Sequence, residues 1–102
     1  MEYLKDPEVD TILKAFIKTV EIKPDSEWLG TRVGDAYEWK TFKEVFDRAE
    51  SLSLGFMEKN LCPVIEAEES EWRFMGMIGP NSVDWASAFM ANMFQNITCV
   101  PL

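Results

Sequence analysis

The chain has 102 residues, with ten basic and eighteen acidic side chains, no histidine and a net charge of −8. That length holds at most one small domain, which buries roughly 60–65% of the surface its unfolded chain exposes. Ordinary apolar and charged fractions exclude disorder, collagen and coiled coil, and two Cys exclude a disulfide scaffold. The acidic balance leaves no basic stripe for nucleic acid, and the lack of His removes the commonest general base and metal ligand.

Charge is unevenly spread. From Phe74 to Leu102 the one charged side chain is Asp84, and every basic residue lies before that stretch. An apolar, nearly uncharged end points to a further segment that covers it, so the chain reads as the front of a larger fold. No run reaches the length of about 18 apolar residues that spans a bilayer. Residues 1–6 lack the basic and apolar regions of a secretory signal, and a cytosolic setting with reduced Cys62 and Cys99 is the expectation.

Asp6-Pro7-Glu8 reads as a helix start, with a capping acid and Pro at the first helical position. Val9, Ile12, Leu13, Phe16, Ile17 and Val20 then recur at helical spacing on one face. Lys14 and Lys18 fall towards the end that favours cations, and Lys23-Pro24-Asp25 stops the helix. The two lysines are few for a membrane-surface helix, so this face is read as packing on its own domain.

Trp28 to Val33 and Ala36 to Thr41 are extended runs around Gly34-Asp35, a hairpin whose turn residues both tolerate positive φ. Trp28, Tyr37 and Trp39 are read as cross-strand packing in preference to a binding platform. Thr41-Phe42-Lys43-Glu44 is a capping box in which the hydroxyl takes the Glu44 amide and the carboxylate reaches back to the Thr41 amide. The helix it opens runs to about Lys59. Phe42, Val45, Phe46, Ala49, Leu52 or Ser53, and Phe56 form its buried stripe, Glu44 and Arg48 are spaced to pair, and Asn60 is a left-handed stop.

Cys62 to Trp72 is read as a loop. Its Glu66, Glu68, Glu69 and Glu71 could hold a hard cation, but without a regular ligand spacing they read as a solvated acidic loop. Phe74 to Gly79 is an apolar run of strand length, Ser82 an N-cap, and Asp84 an acid in the first turn. Trp85, Ala86, Ala88, Phe89, Met90, Met93 and Phe94 make the helix apolar almost all round, as a buried helix is. Its methionines are read as core filling. Asn96 closes it, and Ile97 to Val100 is a second apolar strand. Asn96-Ile97-Thr98 matches a glycosylation sequon but is read as a cap. Strand, helix and strand together are a βαβ unit of a parallel sheet. Gly79-Pro80-Asn81-Ser82 stands where such units bind anions, yet one Gly, a Pro and no Lys read as plain capping. No P-loop, nucleophile elbow or CxxC is present.

Leu29-Gly30-Thr31-Arg32, Tyr37 to Val45 and Arg48-Ala49 resemble the opening of the eukaryotic long-chain acyl-CoA synthetases, of the AMP-forming adenylating superfamily. Asn81-Ser82-Val83-Asp84-Trp85 is similar to that family's Asn-x-x-Glu-Trp helix start, with Asp84 for Glu, and Val100-Pro101-Leu102 is similar to its Val-Pro-Leu. Asn60 and Asn96 stand where Gly is frequent. The resemblance covers residues 28–102. It implies an α/β fold, the incomplete start of the adenylating-enzyme N-terminal domain, with residues 1–102 holding no complete domain. It implies a ligase that makes an acyl-adenylate from a fatty acid and ATP, then passes the acyl group to CoA, with Mg2+ on the phosphates. The family's catalytic and ligand-binding motifs lie downstream, so no catalytic, cofactor-binding or metal residue is expected within 1–102 and the segment alone is expected to be inactive. The partners implied are fatty acid, ATP and CoA, no nucleic acid, and the rest of its own domain. The location implied is cytoplasmic, with a peripheral place on intracellular membranes open to the full-length relatives. Two alternatives stand beside this: a non-catalytic small α/β binding protein derived from the family, and a fragment of another acid–CoA ligase.

Overall fold

A computed structural model describes residues 8–102, so the expected cap at Asp6 and Pro7 lies outside the described residues. The described order is α1 (Ile12–Ile22), β1 (Glu27–Val33), β2 (Ala36–Thr41), α2 (Phe42–Glu58), β3 (Ile65–Ala67), β4 (Ser70–Trp72), β5 (Phe74–Met77), α3 (Val83–Phe94) and β6 (Thr98–Pro101). The chain is α/β, as expected. The described residues divide into two units, one up to Asp47 and one from Arg48 to Leu102, with the boundary inside α2.

In the first unit, α1 starts later than the sequence predicts. Glu8 to Asp10 are not helical, and Thr11 is the N-cap. Its hydroxyl accepts the Lys14 amide at 3.1 Å. Asp10 pairs with Lys14 at 2.7 Å, and this cation holds the exposed carboxyl below its ordinary range. A hydroxyl acceptor and an adjacent anion satisfy the first turn without help from residues further back. Ile12, expected on the packed face, is exposed, and the last turn holds no basic residue. Phe16 and Thr19 are the buried positions, and the Thr19 hydroxyl donates to the Ala15 carbonyl at 2.9 Å. Lys23, pushed out of the helical region by Pro24, ends the helix.

The hairpin forms as predicted, with Val33 opposite Ala36. Gly34 has φ +63° and Asp35 is not at positive φ, the pattern of a type II′ turn, so Gly34 alone uses the left-handed region. The register slips between Glu27 and Leu29, which leaves Trp28 in a bulge. A bulge re-aims a side chain. The Trp28 ring stacks on Phe42 at 4.9 Å and meets Phe16 at 5.4 Å, and Phe16 in turn meets Phe46 at 5.7 Å. These four rings are the aromatic core of the unit. Tyr37 and Trp39 lie 5.9 Å apart and are exposed, and Trp39 covers Gly30 so closely that a Cβ there would stand 2.9 Å from the indole.

The capping box forms in a modified way. The Thr41 hydroxyl accepts the Glu44 amide at 3.1 Å, but the Glu44 carboxylate takes the Thr41 hydroxyl proton at 3.3 Å in place of the amide. Lys43 and Asp47 pair at 2.8 Å.

In the second unit, Ala49 and Ser53 are buried one turn apart, and the Ser53 hydroxyl donates to the Glu50 carbonyl at 2.7 Å. Of the two candidates at that turn, Ser53 is the buried one. The helix ends as predicted at Asn60, φ 49°, in a Schellman motif: Leu61 N–H donates to the Phe56 carbonyl and Asn60 N–H to that of Met57. Arg48, expected to pair with Glu44, pairs with Asp84. Glu44 is engaged by Lys40 and Thr41.

The segment expected to be a loop is a hairpin. β3 and β4 pair antiparallel, and Glu68 and Glu69 take φ 50° and 64° at the turn. Two successive positive φ values mark a type I′ turn, which normally announces itself by Asn-Gly. The Trp72 indole N–H donates to the Ala67 carbonyl at 3.2 Å, and its ring stacks on Phe74 at 5.8 Å. These contacts hold a turn whose own residues oppose it.

β5 and β6 pair parallel, Met75 opposite Cys99 and Met77 opposite Pro101, with α3 as the crossover. This is the βαβ unit the sequence predicts. α3 is not buried all round. Ser87, Ala91 and Asn92 are its buried residues, and its aromatic side chains are half-buried. Asn96 closes it at φ 54°, with Ile97 N–H donating to the Asn92 carbonyl at 2.8 Å, which makes its role that of a cap.

The β3–β4 turn supplies a test. Replacing Glu68 by Asn and Glu69 by Gly is expected to raise stability by about 1 kcal/mol, because each non-Gly left-handed residue costs about that much. Glu68→Gln with Glu69→Gln removes the same charges and keeps the backbone cost. Thermal melts of the two variants separate turn strain from carboxylate repulsion.

Candidate functional site

The crevice at the carboxyl end of β5 is the place where open α/β sheets bind ligands. It is a cleft of about 420 Å³ whose lining includes Gly76, Ile78, Gly79, Ser82, Asp84 and Trp85. Gly79 takes φ +151°, a conformation open to glycine, and this sharp bend turns the chain from β5 towards α3. Ser82 is extended, and its hydroxyl accepts the Trp85 amide at 3.1 Å, as the N-cap reading requires. Trp85 and Phe89 stack at 5.5 Å along the helix.

The electrostatics of this crevice do not favour a phosphate. Pro80 has no N–H to offer, and the Ser82 side chain has already taken one amide. Asp84 places a carboxylate in the first turn, and Arg48 pairs with that carboxylate. An incoming anion would meet negative charge where a helix N-terminus otherwise offers positive potential. Ser82 is used as a cap and Asp84 in the pair with Arg48.

The other residues singled out from the sequence fall apart in space or into packing. Glu66 and Glu71 stand directly opposite each other in the β3–β4 ladder, an unfavourable like-charge pair, while Glu68 and Glu69 occupy the turn. Among the described residues no group of three His, Cys, Asp or Glu side chains is arranged to hold a metal ion. Trp28 belongs to the aromatic core and Tyr37 and Trp39 to the hairpin. Cys62 is buried, its thiol is pushed up by desolvation, and its carbonyl accepts Arg73 Nη1 at 2.6 Å. Among the described residues no helix is long and apolar enough to cross a membrane.

Two features were missed from the sequence. One is the Arg48–Asp84 pair, because Arg48 had a nearer partner by spacing. The other is a mainly apolar groove of about 370 Å³ on α2, lined by Leu52, Gly55, Phe56 and Leu61 with Arg48 and Lys59. Leu52 and Phe56 at helical spacing, with Leu61 just past the expected stop, were the available signal.

The fold and the crevice define an α/β chain whose second unit holds a parallel βαβ unit. Compared with known proteins, it is 35% identical over 103 residues to long chain acyl-CoA synthetase 1 of Arabidopsis thaliana, a match covering 95% of this chain and 14% of that protein. It is 27% identical over 93 residues to long-chain-fatty-acid–CoA ligase 5 of Rattus norvegicus, covering 90% of this chain and 13% of that protein. No family model and no solved structure matches it. The chain is thus a relative of the long-chain acyl-CoA synthetases, and it spans about one seventh of the length of the relatives it matches.

Inorganic phosphate added to the labelled protein is expected to leave the amide resonances of Ser82 to Trp85 unmoved at millimolar concentration. Saturable shifts confined to those amides would show that the crevice binds anions despite Asp84. Ser82→Ala is expected to cost about 1 kcal/mol in a denaturant melt, the usual worth of an N-cap.

Proposed function

We propose that the chain acts as a scaffold segment of a long-chain fatty acid–CoA ligase, within the N-terminal part of its adenylate-forming domain. The observation that carries this reading is the similarity along 95% of the chain to a long chain acyl-CoA synthetase. The parallel β5–α3–β6 unit supports it, because such a unit is the building block of the sheet an α/β ligase needs. In this reading the whole enzyme joins a fatty acid to CoA at the expense of ATP, with Mg2+ on the phosphates. Its setting is cytosolic, where Cys62 and Cys99 stay reduced.

The residues described here do not fit a nucleotide or Mg2+. The βα turn carries Asp84 and Pro80, and the glutamates of the β3–β4 hairpin oppose one another across a ladder instead of converging. The contribution assigned to this segment is therefore structural: it sets a strand pair, its crossover helix and two capped helix ends on which other parts of the ligase can be mounted.

The test is a chimera. Residues 8–102 replace the matching segment of the Arabidopsis long chain acyl-CoA synthetase 1, and fatty-acid-dependent release of pyrophosphate from ATP is measured. The chimera is expected to keep activity within about tenfold of the parent, and the 102-residue chain alone to show none. A folded but inactive chimera, or turnover by the isolated chain, would overturn the scaffold reading.

A further inference from the structure

We propose that Cys99, Met77 and Met75 form a binding site for a soft monovalent metal ion of the Cu(I) class, with the amide of Asn92 beside it. The Cys99 and Met77 sulfurs lie 3.3 Å apart. Met75 stands opposite Cys99 in the parallel ladder. The strand burial alternates so that Met75 and Met77 share the covered face of β5. One thiol and two thioethers are therefore gathered on one face by register alone.

The second observation comes from α3. Asn92 is 1% exposed, its Nδ2 donates to the Met77 sulfur at 3.5 Å, and its Oδ1 has no hydrogen-bond partner. A buried acceptor without a donor, attached to a group that already touches the sulfur cluster, is an unmet demand for positive charge. Rotating the amide about its last torsion exchanges Oδ1 for Nδ2 and offers a weak fourth ligand.

Ligand chemistry selects the ion. Thiolate and thioether donors favour Cu(I), and the lack of any nearby carboxylate or imidazole in the set disfavours Mg2+, Ca2+ and Zn2+. A trigonal site with metal–sulfur bonds of about 2.3 Å needs sulfurs about 4 Å apart. The pair must open by less than 1 Å, which the unbranched Met77 side chain can supply by a change of rotamer. On binding, the Cys99 thiol gives its proton to solvent, its sulfur forms the bond to the metal, and the thioethers add lone pairs. No redox change is needed when the metal arrives as Cu(I). A proton competes with the metal for this sulfur, so acid weakens binding.

The experiment titrates the full chain with Cu(I) bicinchoninate and follows transfer of the metal. One equivalent is expected to bind. Cys99→Ser should weaken binding at least about 100-fold, Met77→Leu and Met75→Leu each about tenfold, and Cys62→Ser not at all. X-ray absorption of the loaded wild-type chain should show two or three sulfur neighbours. Wild-type affinity in both Met variants, unchanged affinity in Cys99→Ser, or a single sulfur in the absorption spectrum would overturn the proposal. If a Met variant fails to fold, the wild-type sulfur count decides.

Discussion

The parallel pairing of β5 with β6 is the constraint on which the second unit depends. Two parallel strands cannot be joined by a tight turn, so the chain must leave one end of β5 and return to the other end of the pair. α3 performs that return, and it must start and stop at fixed places for Phe74 to meet Thr98 and Met77 to meet Pro101. Ser82 fixes the start by taking the Trp85 amide, and the bend at Gly79 lets the chain turn before it. Asn96 fixes the stop with a left-handed residue and a bond from Ile97 back to Asn92. The strand register follows from these two ends. Arg48 adds a tie from α2 to Asp84, although a pair this exposed stabilises by less than about 1 kcal/mol.

The same reasoning shows why some elements could be read from the sequence. Caps are local chemistry. Thr41, Asn60, Ser82 and Asn96 each satisfy orphan backbone groups within a few residues; the last three act as read, and Thr41 takes the Glu44 amide while the Glu44 carboxylate turns to its hydroxyl. The parallel unit was legible because two apolar runs flank an apolar helix. What escaped was set by competition or by contacts far along the chain. Thr11 out-competed an earlier start for α1 because it has both a hydroxyl and the Asp10 carboxylate beside it. Glu68 and Glu69 give no turn signal, and their hairpin is secured by Trp72 reaching back to Ala67. Glu44 had two nearer partners than Arg48. For the crevice, the sequence read Ser82 as an N-cap, and its hydroxyl takes the Trp85 amide. It placed Met75, Met77 and Cys99 in two apolar strands without showing that register would set their sulfurs together.

The family relationship and the physical reading meet in the uneven distribution of charge. A stretch with Asp84 as its one ionised side chain is suited to a sheet layer covered on both faces, which is the setting of a parallel strand pair. Asp84 is tolerated there because it stands at the helix start, exposed and paired, where its charge suits the dipole. The net charge of −8 therefore describes the earlier residues and says nothing about a partner for the βαβ unit.

The packing of α3 follows from the size of its inner residues. Ser87 and Ala91, spaced four apart, lie on one face, Asn92 stands one residue further round the helix, and these three are the ones excluded from water. The Ser87 hydroxyl is spent on the Val83 carbonyl at 2.7 Å, which neutralises it as a polar group. Small side chains let a helix approach a sheet closely, and that approach leaves room beneath Asn92 for the flexible sulfur of Met77. Trp85 and Phe89 then stack beside this face instead of within it. A helix that looks uniformly apolar in sequence thus divides by volume, with small residues inward and rings at the margin. The hydrophobic pattern alone, which counts Trp and Ala alike as apolar, could not resolve that division.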